Sequence, residues 1–253
     1  MKVIVTENYE ESCAYAAGII CSLVKEKPDC KLGLATGSTP LPIYRKLIEA
    51  NNRGEITFKQ VHTVNLDEYC DLDGTNKESY RYFMDHNLFD GIDIDKKNTY
   101  VPKGTGDHDK NIAGLETKIS EGGCIDLQLL GIGNNGHIGF NEASDTLHTG
   151  AHIEKLTQST IDANSRFFER KEDVPVKAIT MGIGNILSAK RIVLVASGPS
   201  KAEAVKGLIC DDTITTRNPS TMIKLHKNAT VIIDKALADA AGYTGYNLFC
   251  YDK

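Results

Sequence analysis

Residues 129–142, LLGIGNNGHIGFNE, hold the elements of two chemistries in one short loop. Gly131, Gly133 and Gly136 match the G-x-G-x-x-G spacing of a dinucleotide-binding turn, where glycines let backbone amides close on a pyrophosphate. His137 and Glu142 suit acid–base work instead. Imidazole titrates near neutrality, and a nearby carboxylate orients it and stabilises its charged form. A dinucleotide site also needs a helix directly after the loop and an acidic residue about 20 positions on, at the end of a second strand. Residues 137–150 are broken by Gly139 and lack a helical apolar period, and Glu154, at about the right offset, follows no clear strand. The acid–base reading depends on partners, because a lone loop histidine is an ordinary hydrogen-bonding residue.

Three other segments offer partners. VNLDEYCDLDGTNKESY (64–80) puts Asp67 and Glu68 at the end of a strand-like run, where one carboxylate can serve as a general base. The bland alternative is that Asp67, Glu68, Asp71 and Asp73 form a solvated turn; an EF-hand fails on ligand spacing. ATGSTP (35–40) sets Thr36, Gly37, Ser38 and Thr39 before Pro40 at a helix start, where free N–H groups and hydroxyls favour an anion. It is not a P-loop, since G-K-[ST] is missing, and a simple capped helix start remains the alternative. In SKAEAV (200–205), Ser200 and Glu203 have capping-box spacing, which puts Lys201 in a first helical turn, where a cation is disfavoured unless it meets an anion. Arg166, in ANSRFFER (163–170), is a further cation. Each is by itself an ordinary surface charge; together with the G-S-T-P loop they could surround a phosphate.

These loops need elements to position them. Strand-like runs at 2–6, 31–36, 61–66, 125–133, 178–182, 191–197 and 229–234 alternate with helix candidates at 8–26, 40–52, 77–88, 108–121, 200–209 and 234–241. Continuous apolar runs suit strands covered on both faces, and the alternation indicates βα units. The expected fold is α/β: a doubly wound, mostly parallel sheet with helices on both faces, Rossmann-like, in one domain spanning 1–253. Residues 143–175 are the least regular stretch and are read as a lid segment. In such a sheet, ligands bind beyond the carboxyl ends of the strands.

The totals are those of a soluble globular chain: 253 residues, 41% hydrophobic and 25% charged. A net charge of −5 argues against nucleic acid as the main partner but allows a local basic pocket. No apolar run approaches the roughly 18 residues of a membrane span. The opening MKVIVTENYE lacks the n- and h-regions of a signal peptide, so a cytoplasmic location is expected. Cys13, Cys21, Cys30, Cys70, Cys124, Cys210 and Cys250 form no C-x-x-C pair, which suits reduced thiols and argues against zinc.

LATGSTP, NLDEY, GIGNNGHIGFNE, ANSRFF and GPSKAEAV, in this order, resemble the glucosamine-6-phosphate deaminase/isomerase family over about residues 3 to 241. GHIGFNE is the most specific piece, since the related 6-phosphogluconolactonases share a G-H loop without the F-N-E continuation. The resemblance implies conversion of D-glucosamine 6-phosphate and water to D-fructose 6-phosphate and ammonia, by coupled isomerisation and deamination, with no metal or organic cofactor. It implies that Asp67 moves the C2 proton to C1 and that His137 passes a proton to the ring oxygen, with Glu142 as its carboxylate partner. Thr36, Gly37, Ser38, Thr39, Arg166 and Lys201 would hold the 6-phosphate. Many members have Asp at the position of Asn135; an amide there can orient the imidazole but supplies no charge. Members activated by N-acetylglucosamine 6-phosphate carry basic residues shortly after F-N-E, where this chain has His152 and Glu154, and the chain ends soon after YNLF. Effector-independent kinetics are therefore expected. Oligomeric state is left open. The alternatives are a lactonase or another sugar-phosphate isomerase or hydrolase of the same fold, and a non-catalytic phosphosugar sensor.

Overall fold

The computed structural model describes residues 1–248. Strands β1 (Lys2–Thr6), β2 (Lys31–Leu34), β3 (His62–Asn65) and β4 (Asp67–Tyr69) alternate with helices α1 (Tyr9–Glu26) and α2 (Leu41–Asn52). Helix α3 (Tyr80–Asn87), β5 (Thr99–Tyr100), α4 (His108–Ser120) and β6 (Leu127–Leu130) follow. The remainder is β7 (His152–Lys155), α5 (Gln158–Asn164), β8 (Lys177–Thr180), α6 (Ile183–Leu187), β9 (Ile192–Ala196), α7 (Ala202–Ile209), β10 (Ala229–Asp234) and α8 (Lys235–Ala240).

Seven strands form a sheet of order β1-β10-β9-β6-β2-β3-β5, with every pairing parallel. Its strands are apolar on both sides, as expected for a sheet covered twice. In β9, Ile192, Leu194 and Ala196 pack with α4, α7 and α8 residues such as Leu115, Val205 and Leu237. Val193 and Val195 face the opposite layer, with Ile20 of α1 and Leu47 of α2. Helix α1 starts cleanly because the Asn8 side chain accepts from the Glu11 amide, and it buries a face running from Ser12 to Val24.

The strand order turns around between β2 and β6. From β2 the chain builds outward to β3 and β5, and from β6 outward to β9, β10 and β1. The loops leaving β2 and β6 therefore diverge and leave a crevice at their carboxyl ends. Strand β3 feeds the same crevice. Leu66 donates to Leu34 in the main sheet and its carbonyl accepts from Met181; the chain then enters β4 of a second, antiparallel sheet, β4-β8-β7.

This second sheet departs from the sequence reading. The run at 178–182 is a strand, but it belongs to the antiparallel sheet, because apolar periodicity shows burial and not the identity or direction of the partner. Strands β4 and β5, of three and two residues, are too short to leave a periodic signal. The 143–175 stretch folds into β7, α5 and two 3₁₀ turns, at Ser165–Phe167 and Lys171–Asp173. Among the described residues no helix is long and apolar enough to cross a membrane. Cys13, Cys21, Cys30, Cys70, Cys124 and Cys210 are free thiols, and Cys250 lies outside the described residues.

The sheet end away from the crevice is tied by Asp126, whose side chain is 5% exposed. It accepts from Lys27 Nζ at the end of α1, the Lys31 amide opening β2, and Lys190 Nζ before β9, each at 2.8 Å. Burial would raise its pKa, but the two ammonium groups outweigh that and hold it below the usual carboxylate range. Asp126→Asn is expected to lower stability by about 2 kcal/mol. The difference from wild type in a denaturant melt is expected to be full above about pH 5, to shrink below about pH 4 as the unfolded carboxyl takes up a proton, and to vanish as pH falls through the lower folded pKa.

Candidate active site

A cleft of about 900 Å³ opens at the carboxyl ends of β2, β3 and β6. Thr36, Gly37, Ser38, Thr39, Asp67, Asn135, His137, Arg166 and Lys201 all line it. Glu142 does not line it; it is 3% exposed and stands behind His137.

Asp67 enters from β4 and is 6% exposed. Burial, with the neighbouring Glu68 charge, pushes its pKa up to about 8. Glu68 is spoken for elsewhere, since it accepts from the amides of Tyr69, Tyr80 and Arg81 and so anchors the first turn of α3. Burial raises Glu68 too, to about 7, with those three amides pulling the other way by favouring its charged form; Asp67, with no such donors, is pushed higher.

The opening loop shapes itself around His137. The Gly133 amide donates to the His137 carbonyl at 2.9 Å and the Gly136 amide to the Gly133 carbonyl at 3.0 Å, closing a tight turn. A Cβ on Gly133 would collide with the imidazole, and Gly136, at φ +84, has the Asn218 side chain where a Cβ would go. No helix follows: residues 137–151 contain only bridges, turns and bends. The glycines thus make room for a histidine, and the dinucleotide reading falls.

His137 Nδ1 lies 3.6 Å from Glu142 Oε2, within ion-pair reach but too long for a hydrogen bond. Burial would raise the Glu142 pKa, yet the His137 side chain, the Thr160 hydroxyl and the amide of Asn135 outweigh it and hold the carboxyl at about 2. Glu142 is thus a permanent negative charge behind the ring. Asn135 differs from its expected role. Its Oδ1 accepts from the His137 backbone amide at 3.2 Å and its Nδ2 donates to Glu142 Oε2 at 2.8 Å. It fixes the loop and the carboxylate; the ring is positioned through them.

The cleft also holds two cations. Gly37 adopts φ +92 in the turn after β2, and Ser38 Oγ accepts from Arg166 Nη2 at 3.3 Å. Lys201 Nζ donates to the Ile132 carbonyl at 2.7 Å. Burial, and then the Arg166 charge, lowers the Lys201 pKa to about 8. Two cations and a hydroxyl-bearing turn, held together at the cost of a depressed lysine, suit a small anion. The capping box expected at 200–203 is not formed. Pro199–Lys201 make a 3₁₀ turn, Ser200 Oγ donates to Asn134 Oδ1 at 3.2 Å, and α7 begins at Ala202 with no side-chain cap.

Sequence reasoning missed the aromatic wall. The Tyr69 ring stands 4.8 Å from Tyr80, 5.6 Å from Phe140 and 5.7 Å from Phe168, all four lining the cleft. These residues lie far apart along the chain, so no spacing pattern could have grouped them. Among the described residues no three His, Cys, Asp or Glu side chains cluster as metal ligands do.

Inorganic phosphate is expected to bind beside Ser38, Arg166 and Lys201. Above about pH 8 binding must recharge Lys201, so the affinity is expected to fall up to tenfold per pH unit. Calorimetric titrations across that range are expected to show the slope in wild type and its loss, with weaker binding throughout, in Lys201→Met.

A family model described as glucosamine-6-phosphate isomerases/6-phosphogluconolactonase matches residues 6–232. A glucosamine-6-phosphate deaminase of Clostridium beijerinckii is 50% identical over 241 residues, covering 95% of this chain and 99% of its own. That of a Thermoanaerobacter species is 52% identical over 239 residues, 94% of each chain. Among solved structures, a monomeric glucosamine-6-phosphate deaminase superposes with a TM-score of 0.92 at 42% identity, covering 95% of this chain and 100% of that one. A 6-phosphogluconolactonase from Trypanosoma cruzi, at 20% identity, shares the fold with a TM-score of 0.75 over 94% of this chain and 96% of its own. With the match spanning nearly the whole chain, the protein belongs to the glucosamine-6-phosphate isomerase/6-phosphogluconolactonase family.

Proposed function

We propose that this protein is a glucosamine-6-phosphate deaminase, converting D-glucosamine 6-phosphate and water to D-fructose 6-phosphate and ammonia in amino-sugar breakdown. The observation that carries the reading is one cleft lined by a buried carboxyl, an imidazole and two cations, in a chain about half identical to deaminases. The 6-phosphate binds Arg166, Lys201 and the Thr36–Thr39 turn. That remote grip is used to hold the reacting carbons against Asp67 and His137.

In this reading His137 gives a proton to the ring oxygen as the C1–O5 bond opens, and Glu142 stabilises the imidazolium form from behind. Asp67, as carboxylate, then removes the C2 proton; a substrate ammonium beside it favours the charged form. The C2–H electron pair forms the C1=C2 double bond while the C1 carbonyl oxygen takes a proton from the substrate ammonium, giving a hydroxyl at C1 and an amine at C2. Asp67 returns the proton to C1, which leaves an imine at C2. Water adds to that imine and ammonia leaves, giving the ketose. A base poised near the working pH combines enough ionised form with enough basicity.

The acidic net charge suits a small anion captured in a local cationic pocket better than nucleic acid. The free thiols suit the cytosol. The solved deaminase at 42% identity is monomeric, which supports a monomeric enzyme here. After F-N-E, His152 is engaged by Glu154 at 3.1 Å and by the Gly150 carbonyl, which supports effector-independent kinetics.

Purified enzyme is expected to release ammonia from glucosamine 6-phosphate, with kcat reduced by about 10³ in Asp67→Asn and about 10² in His137→Gln. Full turnover in Asp67→Asn would remove the proposed base. The kcat/KM profile is expected to be a narrow bell near pH 8, rising as Asp67 ionises and falling as Lys201 loses its charge. The substrate curve is expected to be hyperbolic and unchanged by N-acetylglucosamine 6-phosphate; a sigmoidal curve relieved by that compound defeats this part of the proposal.

A further inference from the structure

Residues 161–173 carry Arg166, which lines the cleft, yet none of them is buried: the nearest buried residues are Thr160 on one side and Val174 on the other. Much of the bonding in the segment is internal. Lys171 pairs with Asp162 at 2.7 Å, Arg170 with Asp173 at 2.7 Å, and Ser165 Oγ donates to the Asp162 carbonyl at 2.7 Å. A stretch with so little buried surface opens at small free-energy cost. Among the described residues, two side-chain hydrogen bonds tie it to the body of the fold. One is Arg166 to Ser38, inside the anion site itself. The other is Asn164 Nδ2 to the Tyr69 hydroxyl at 2.9 Å, at the last residue of α5 and two positions before Arg166.

Tyr69 is well placed to be a fixed post. It is 2% exposed, lies two residues after Asp67 in β4, and its ring is held by Tyr80 of α3 and by Phe140 of the His137 loop. Phe168, on the far side of Arg166, packs edge-on against the same ring at 5.7 Å. The arginine is therefore bracketed by two contacts to one residue, a hydrogen bond before it and a ring contact after it.

We propose that the Tyr69 hydroxyl and Asn164 form a latch that presets Arg166 for the phosphate in the cleft, making both positioning residues for substrate capture. The latch links the phosphate grip to the strand that bears Asp67. It acts on binding, because ordering the segment beforehand spares the ligand the cost of ordering it. The inference rests on the proposed deaminase reading for its substrate, but its anion-binding half stands without turnover.

The test uses Tyr69→Phe, which removes the hydroxyl and keeps the ring, together with Asn164→Ala and the double variant. Inorganic phosphate is titrated calorimetrically, amide hydrogen exchange of 161–168 is followed, and kcat and KM are measured with glucosamine 6-phosphate. The expected result is a phosphate Kd raised about three- to tenfold, a KM raised by a similar factor, kcat reduced less than about twofold, and faster exchange in 161–168. The double variant is expected to be no worse than the poorer single one, since both remove the same bond. The proposal is overturned if phosphate affinity and exchange are unchanged, if the two losses add, or if kcat falls about tenfold or more at unchanged KM, which would put the hydroxyl in the chemistry. Should wild type release no ammonia, the deaminase reading falls, while the phosphate and exchange measurements still decide the latch.

Discussion

Parallel pairing of β2 with β3 on one side and β6 on the other is the constraint from which the cleft follows. Parallel strands point their carboxyl ends the same way, so the loops leaving all three open on one edge of the sheet. The turn Thr36–Thr39, the Asp67 segment and the Gly131–His137 loop follow neighbouring strands because of that pairing, although about 100 residues separate the first from the last in the chain. Leu66 adds the last adjustment. By bonding to Leu34 in the main sheet and to Met181 outside it, it turns the chain into the antiparallel sheet and presents Asp67 to the cleft.

Burial then shifts two cleft groups, with opposite sign. It raises Asp67 toward about 8 and lowers Lys201 to about 8, because in each case it disfavours the charged form. Like-charged neighbours push further the same way, Glu68 beside Asp67 and Arg166 beside Lys201. Glu142 is the counterexample. It is as buried as Asp67, yet its imidazole and amide partners hold it at about 2. Three buried ionisable groups within one site are thus separated by their partners more than by their depth. An anion beside Lys201 and Arg166 would favour the charged lysine, opposing both burial and the like charge.

The glycine spacing of the 131–136 loop shows why a motif needs its surroundings. The same three glycines that could admit a pyrophosphate instead admit the His137 ring and the Asn218 side chain. What separates the two outcomes is the following segment, which lacks helical periodicity in the sequence and is irregular in the structure. The sequence pattern was sufficient there. It was not sufficient at 200–203, where capping-box spacing predicts a cap that a 3₁₀ turn pre-empts.

By itself the sequence determined the alternation of strands and helices and, through motif order, the family, because these are written in local periodicity and in residue types at fixed spacing. It carried Asp67, His137, Ser38, Arg166 and Lys201 as separate possibilities, each with an ordinary surface role. Only the tertiary structure decided that they share one cleft, that Glu142 stands behind the histidine and that Asn135 holds that carboxylate in place of the ring. The antiparallel sheet, the Tyr69–Tyr80–Phe140–Phe168 wall and the Asn164 contact were likewise beyond reach. Their strands are too short to show a period, and their partners meet across gaps of 11 to 99 residues set by sheet pairing alone.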